Sequence, residues 1–156
     1  DFIINYNAVS DIDGNIKMII DKEISKISTA SKINYKSKTY KIKRLLYSSN
    51  EKKDIKNIND VESTKIDTYL ENNNLEADFV KIDVEGFELK ALKGFIRNMI
   101  NTKYIMIEHH NDNLYMGFNK DEVDVFLRKN NFELYFSLKF PFMDWEDRLY
   151  INKAII

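Results

Sequence analysis

Several residue types are scarce or missing in this sequence. It has no cysteine, one proline and four glycines among 156 residues. Without cysteine there are no disulfide bonds, thiolate metal ligands or cysteine nucleophiles. No apolar run is long enough to cross a bilayer, so no membrane span is predicted. The first residues also lack the basic and apolar regions of a signal peptide, and we expect a cytoplasmic protein that is a fragment of a longer one.

The charge of the chain is almost balanced. Lys and Arg together number 24 and Asp and Glu 25, which gives a formal net charge of −1. Proteins that bind duplex nucleic acid usually carry a clear basic excess, so no nucleic-acid partner is predicted. Because 44% of the residues are hydrophobic, the chain can bury one core, and a single domain over residues 1–156 is expected.

Strand-like and helix-like patterns alternate along the chain. Residues 2–9 and 16–21 have the pattern of two strands, which could form a hairpin. The second half has clearer signals, with a central strand that is apolar on both faces at 77–84. The other predicted elements are a strand at 61–66, a helix capped by Asp67, a helix from Gly86 to about Asn101, a strand at 103–110, a helix at 119–132 capped by Asn119, and two closing strands.

This alternation predicts an α/β fold with a mostly parallel sheet, covered by helices and ending in an antiparallel strand pair. The segment 22–60 is a variable insert or edge region, in which 32–47 suggests one or two exposed strands. Its cations and tyrosines could hold an anionic or sugar-bearing substrate, although a solvated edge strand protected by lysine is favoured. The residues concerned are Lys32, Tyr35, Lys36, Lys38, Tyr40, Lys41, Lys43 and Arg44.

Three acids lie where predicted parallel strands end. Asp83 and Glu85 follow one strand, and Glu108 ends the next. Ligands of such sheets collect at the carboxyl ends of the strands. Acids in the first turn of a helix can also have a purely structural role, because their negative charge interacts favourably with the positive end of the helix dipole. This explanation stays open for Glu85. It fits Asp83 less well, since an acid inside an apolar strand would be partly desolvated.

The two histidines of the chain, His109 and His110, directly follow Glu108. Histidine is the usual general base near neutral pH, so either one could deprotonate a substrate. Either could equally be a surface loop residue. A metal held by Glu108, Asp83 and a histidine is a minor alternative, because adjacent histidines rarely converge on one ion, and no metal site is predicted.

The segment "TKIDTYLENNNLEADFVKIDVEGFELKALKGF", followed by "YIMIEHH", resembles the C-terminal half of FkbM-type S-adenosylmethionine-dependent methyltransferases. The opening "NAVSDIDGNIKM" is similar to the "NAVSD" segment of that family. The resemblance implies a Rossmann-like class I methyltransferase sheet. The glycine-rich cofactor turn of such enzymes is not matched, because the four glycines form no G-x-G, and the fragment is expected to lack that N-terminal part.

The resemblance also implies roles for individual residues. Asn7 and Ala8 would lie near the adenine of S-adenosylmethionine, and Asp83 near its methionine group or reacting methyl. Glu85 would face the substrate, and Glu108 with His109 or His110 would position or deprotonate a hydroxyl. The catalytic set implied is Asp83, Glu85, Glu108, His109 and His110.

The implied reaction is methyl transfer to a hydroxyl, most simply that of a sugar, glycan or natural product. Two other functions stay open. A non-catalytic binding remnant is one, and a metal-dependent nuclease is the other, because Glu88 and Lys90 follow the acids in an E-x-K arrangement. Against the nuclease, Glu88 and Lys90 are predicted to lie in a helix.

Overall fold

The computed structural model describes residues 2–21, 28–47, 56–139 and 144–156. No helix among these residues has both the length and the apolar character needed to cross a membrane. The strands are β1 (Ala8–Val9), β2 (Gly14–Asp21), β3 (Lys32–Ile33), β4 (Lys56–Thr64), β5 (Phe79–Ile82), β6 (Tyr104–His110), β7 (Tyr115–Met116), β8 (Phe132–Lys139) and β9 (Trp145–Asn152). The helices are α1 (Lys38–Tyr47), α2 (Ile66–Asn72), α3 (Glu88–Lys93) and α4 (Lys120–Lys129), with a 3-10 helix at Asn98–Asn101.

The principal sheet has four strands in the order β5-β6-β9-β8. β5 and β6 are parallel, while β9 runs antiparallel to both β6 and β8. The predicted α/β class and the closing antiparallel pair are therefore confirmed. Within the described part of the chain, however, β5 lies at the edge of this sheet, and Phe79 is half-exposed. The prediction of a central strand that is apolar on both faces was wrong.

A second sheet has three strands in the order β1-β4-β2. β1 and β2 do not form the predicted hairpin, because each pairs with a different edge of β4, β1 parallel and β2 antiparallel. A third pairing joins β3 to β7 antiparallel. Antiparallel pairings outnumber parallel ones among the described strands, so the sheets are mixed and the expectation of a mostly parallel sheet was wrong.

Residues 38–47 form helix α1, where exposed strands were predicted. The Ser37 hydroxyl accepts the backbone N–H of Tyr40 at 3.0 Å, which is the geometry of a helix N-cap. Tyr40 is buried with Ile33, Leu114 and Tyr115 in a small core. The strand prediction was based on an alternation of lysine with apolar residues. Lys, Arg and Leu also have high helix propensity, and the packing of Tyr40 in the small core stabilises the helix.

Helices α3 and α4 pack against one face of the four-stranded sheet. The buried residues of this main core are Leu70, Ile82, Ala91, Leu92, Phe95, Met99, Ile105, Ile107, Val123, Leu127, Phe132 and Tyr150. The predicted cap of α4 is confirmed, because Asn119 Oδ1 accepts the N–H of Asp121 at 3.0 Å. α3 ends at Lys93 instead of near Asn101. A Cβ on Gly94 would come within 2.1 Å of the Ser10 carbonyl oxygen, so this glycine brings two chain segments into close contact.

Asp67 is buried at the start of α2, but it does not cap that helix as predicted. Its carboxylate accepts the backbone N–H groups of Ile96, Arg97 and Asn98 at 2.8–2.9 Å. Burial opposes ionisation, but these hydrogen bonds outweigh it and lower the pKa of the Asp67 carboxyl. The Asp67 side chain thus caps the 3-10 helix at Asn98–Asn101 and joins it to α2.

Replacement of Asp67 by alanine tests this connection. We expect Asp67→Ala to lower the free energy of unfolding by about 2–4 kcal/mol, because three amide groups lose a charged acceptor. Glu71→Ala on the same helix is the matched control, since Glu71 makes an exposed ion pair with Arg97 and its loss should have a much smaller effect. Urea unfolding of both variants measures the difference, and equal losses would contradict the capping role.

Candidate active site

The turn between β5 and α3 contains two residues with positive φ. Glu85 has a φ of +52° and Gly86 a φ of +89°. This conformation is uncommon for a residue other than glycine, so neighbouring groups must hold Glu85 in it. The Thr29 hydroxyl donates to the Glu85 carbonyl and the Ser31 hydroxyl to the Gly86 carbonyl, both at 2.6 Å. These hydrogen bonds set the direction in which the Glu85 side chain leaves the backbone.

Tyr115 of β7 packs directly on this turn. A Cβ at Gly86 would lie 2.4 Å from both Cβ and Cγ of Tyr115, so only glycine fits between the turn and the ring. The Tyr115 hydroxyl donates to Oε2 of Glu85. Burial, followed by the negative charge of Glu85, raises the pKa of the Tyr115 hydroxyl, which stays a donor. Tyr115 therefore places both the backbone and the carboxylate of this turn.

Glu85, Glu108 and His110 form a cluster that we call the acid–histidine cluster. His110 Nε2 lies 3.1 Å from Glu108 Oε2 and 3.7 Å from Glu85 Oε2. Glu108 and His110 are two residues apart on β6, and side chains at that spacing point to the same side of a strand. The His110 side chain is 2% exposed, whereas those of Glu108 and Glu85 are 16% and 22% exposed. A ligand from solvent would therefore meet the two carboxylates first, with the imidazole behind them.

The charges of the acid–histidine cluster are strongly coupled. Burial acts to lower the pKa of His110, but contact with Glu108 and the negative charges of Glu85 and Glu88 raise it overall. Burial raises the pKa of the Glu85 carboxyl. For Glu108, burial is outweighed by the His110 contact and charge, so its pKa lies below the usual range. The cluster can hold a proton between a carboxylate and an imidazole.

Lys43 is a residue of this site that the sequence did not identify as such. It projects from α1, with its Nζ 3.8 Å from Glu85 Oε2 and 5.5 Å from the centre of the Trp145 ring. Its side chain is 12% exposed. In the sequence, Lys43 is one of the cations that could bind a substrate, but the pattern around it favoured a solvated strand. The Ser37 cap was the signal that could have placed a helix here.

The structure does not bring Asp83 into the acid–histidine cluster. Its side chain is exposed and lies 3.2 Å from Lys81 Nζ, so the expected desolvation was wrong. Burial acts to lower the pKa of Lys81, but the hydrogen bond with Asp83 and the charges of Asp83, Asp147 and Glu108 raise it. Asp83 therefore borders the same end of the sheet as Glu108, on its solvent side.

His109 points to the opposite side of β6 from His110. It is fully buried, with Nε2 2.9 Å from the hydroxyl of Tyr150, which in turn donates to Asp124 of α4. Burial lowers the pKa of His109 to about 4, so its ring is neutral at pH 7. Of the two candidate histidines, the structure joins only His110 to the carboxylates and gives His109 a packing position under α4.

Asn7 and Ala8 lie at β1, away from the acid–histidine cluster. Ala8 pairs with Ser63 of β4, and the chain that follows reaches α3, where Asp11 forms a 2.7 Å ion pair with Lys90. Among the described residues, no hydrogen bond or ion pair connects Asn7 or Ala8 to the cluster. The predicted cofactor residues thus fall at two places, beside α3 and at the end of β5.

A groove with a volume of about 580 Å³ borders the same turn. Gly86 and Phe87 form part of its wall, but the residues of the acid–histidine cluster do not. Apolar and aromatic residues line it together with three lysines. The remaining lining residues are Ser31, Lys32, Leu89, Lys90, Lys93, Met116, Gly117, Phe118, Asn119 and Glu122.

Glu88 is a buried acid that the sequence analysis considered only for a nuclease. It is 0% exposed, and its Oε1 accepts the Gly86 N–H at 3.0 Å, while Oε2 has no hydrogen-bond partner. Lys90 points elsewhere, into its ion pair with Asp11. The E-x-K residues therefore do not converge on one site, and Glu88 instead supports the turn that carries Glu85.

A comparison with protein-family models supplies the decisive finding. The model described as the methyltransferase FkbM domain matches residues 4–134, which is most of the chain. The chain belongs to the FkbM methyltransferase domain family. Comparison with curated proteins and with solved structures gave no match. The family resemblance of "KIDVEG" and its surroundings is confirmed, and in this FkbM domain that motif forms the end of β5 and the turn carrying Glu85.

Replacement of Gly86 tests how strongly Tyr115 fixes the turn. We expect Gly86→Ala to lower the free energy of unfolding by about 3–5 kcal/mol, because positive φ and the clash with Tyr115 both act. Gly117→Ala is the matched control, with a φ of +88° but no atom within 4 Å of a new Cβ, so only about 1–2 kcal/mol is expected. Chemical denaturation measures both, and equal effects would mean that the Tyr115 contact is unimportant.

The pH dependence of stability tests the burial of Glu88. Burial raises the pKa of Glu88 from 4.5 to about 6. The unfolded chain therefore ionises first, and ionisation of Glu88 costs the folded state roughly 2 kcal/mol above pH 6 but nothing well below pH 4.5. Glu88→Gln cannot ionise, so its stability relative to the parent should rise by about that amount between pH 4.5 and 7. A difference that is constant with pH would contradict this assignment.

Proposed function

We propose that this FkbM domain methylates a hydroxyl group with S-adenosylmethionine as donor, and that the acid–histidine cluster handles the acceptor. The observation that carries the proposal is the position of Glu85, Glu108 and His110. They meet beside the carboxyl ends of two parallel strands, in a domain whose family is that of methyltransferases. Carboxyl ends of parallel strands are where such sheets bind ligands.

The donor set at this end of the sheet suits one part of S-adenosylmethionine. Its sulfonium is a cation, and the exposed carboxylate of Asp83 offers it negative charge. We propose Asp83 at the methionine end and Asn7 and Ala8 at the adenine end. The four glycines of the sequence form no G-x-G turn, so the described residues fit the methyl-donating end better than the rest of the cofactor.

When bound, S-adenosylmethionine supplies an electrophilic methyl group. The chain's own residues act on the acceptor. Glu108, the more exposed partner of His110, accepts a hydrogen bond from the acceptor hydroxyl, and the carboxylate–imidazole pair takes up its proton. Lys43 lies 3.8 Å from Glu85, and its positive charge opposes the rise in the pKa of that carboxyl which burial causes. A positioned general base of this kind contributes typically 10²–10⁴-fold to a rate.

A sugar, glycan or natural product is the acceptor class that we propose. The groove beside Gly86 combines aromatic rings with lysines, and such a surface suits a sugar that carries acidic groups. Phe87, Phe118 and Lys32 are the side chains best placed for these contacts. Lys32 was among the cations that the sequence suggested for this role.

A pair of matched aspartates tests the cofactor assignment. Asp83 and Asp78 flank β5 at its two ends, and each makes an exposed ion pair, with Lys81 and Lys103 respectively. We expect Asp83→Asn to weaken S-adenosylmethionine binding at least tenfold and Asp78→Asn to leave it unchanged, since only Asp83 lies at the carboxyl end. Isothermal titration calorimetry measures both, and circular dichroism checks that the variants fold.

Two outcomes of that titration would contradict the proposal. Equal affinities for the two variants would remove Asp83 from the cofactor site. No heat with folded parent protein would favour a non-catalytic binding domain. Where binding is seen, Glu108→Gln should reduce kcat for methyl transfer at least 100-fold with little change in cofactor affinity, since Glu108 acts on the acceptor.

A further inference from the structure

The imidazole of His110 has an unusual environment. Its side chain is 2% exposed, and Nε2 is buried without a hydrogen-bond partner, although Glu108 Oε2 lies only 3.1 Å away. The two atoms are close, but they are not aligned as a hydrogen bond requires. A buried polar atom without a partner is costly, so the nitrogen needs another explanation. It is directed at two carboxylates, those of Glu85 and Glu108.

The separations of these atoms are close to those of ligands around one ion. Ligand atoms about 2.0–2.2 Å from a metal, at angles between right-angled and tetrahedral, lie about 3.0–3.5 Å apart. The imidazole nitrogen is 3.1 Å from one carboxylate oxygen and 3.7 Å from the other, and all three atoms lie within 4.8 Å of one another. The first of these separations lies in that range and the second is longer, so a bound ion would require the Glu85 side chain to move closer.

The local charges also leave room for a cation. Glu85 and Glu108 contribute two carboxylates, and Glu88 is a third acid beside His110. Among the described lysines and arginines, Lys43 is the nearest to Glu85, and at 3.8 Å it is beyond hydrogen-bonding distance. The Tyr115 hydroxyl binds the same Glu85 oxygen and supports it from the side of β7. Metal ligands are commonly held by outer hydrogen bonds of this kind.

We propose that Glu85, Glu108 and His110 bind one divalent transition-metal ion, such as Mn²⁺ or Zn²⁺. The imidazole decides the class, because Mg²⁺ and Ca²⁺ prefer sites made only of oxygen. Three protein ligands leave open positions on the ion, which is the arrangement of a catalytic site. The inference rests on the proposed function for the use of these residues and changes one step of it. The ion would receive the acceptor oxygen and lower the pKa of its hydroxyl, and the proton would leave to solvent, because the lone pair of His110 Nε2 would bind the ion.

Metal titration of the full chain tests this site directly. We expect calorimetry with MnCl₂ or ZnSO₄ to show one ion per chain, and with MgCl₂ an affinity at least tenfold lower. Glu108→Gln and Glu85→Gln should each weaken Mn²⁺ binding at least tenfold. Asp78→Asn is the matched control, because Asp78 lies at the opposite end of β5, in an exposed ion pair with Lys103. Its Mn²⁺ affinity should be unchanged.

Two results would overturn the site. One is the absence of stoichiometric Mn²⁺ and Zn²⁺ binding by folded protein. The other is unchanged affinity in both glutamine variants, with folding checked by circular dichroism. If one glutamine variant fails to fold, the other decides, and the paramagnetic resonance spectrum of Mn²⁺ with the parent chain gives an independent measure. These readouts need no methyl donor, so failure of the metal site is distinguishable from failure of the proposed methyl transfer.

Discussion

The close contact between Gly86 and the Tyr115 ring controls the geometry of the candidate site. At Gly86 the turn after β5 has a positive φ, and a residue with a Cβ would clash with Tyr115 there. The same ring carries the hydroxyl that holds the Glu85 carboxylate. Because Thr29 and Ser31 also bind the carbonyls of the turn, the backbone conformation determines where the Glu85 carboxylate lies. The position of the chemistry thus depends on packing.

The site also concentrates buried polar groups that a purely structural region would avoid. Glu88 is fully buried with one unpartnered oxygen, and His110 is buried with an unpartnered nitrogen. Burying such groups costs free energy, and a core of similar shape built from apolar residues would be more stable. His109 shows the contrast, because its Nε2 meets a tyrosine hydroxyl and its environment keeps the ring neutral. The Nδ1 of His109 is also buried without a hydrogen-bond partner, so the contrast between the two histidines lies at Nε2 alone.

The sequence predicted best where local signals agree with tertiary structure. The strand ending at His110 and the Asn119 cap both have strong local patterns, and both are confirmed. Adjacent residues of a strand point to opposite faces, a rule that would have separated His109 from His110 in the sequence. Prediction from the sequence failed where the surroundings of a side chain are set by residues distant in the chain. The exposure of Asp83 depends on what lies beside β5, and the target of Asp67 lies 29 to 31 residues away. No periodicity within either segment contains that information.

The two cationic ligands proposed for this end of the sheet differ in the carboxylates that suit them. Asp83 is exposed, and burial together with the charges of Glu108 and Asp83 raises the pKa of Asp147, a sign of repulsion between these acids. An organic cation can relieve that repulsion from the solvent side without displacing protein. The ligand atoms of Glu85, Glu108 and His110 lie within 4.8 Å of one another, a spacing that suits the proposed ion. We therefore propose the sulfonium beside the outer acids and the metal in the inner cluster, with the acceptor next to Glu108, which borders both.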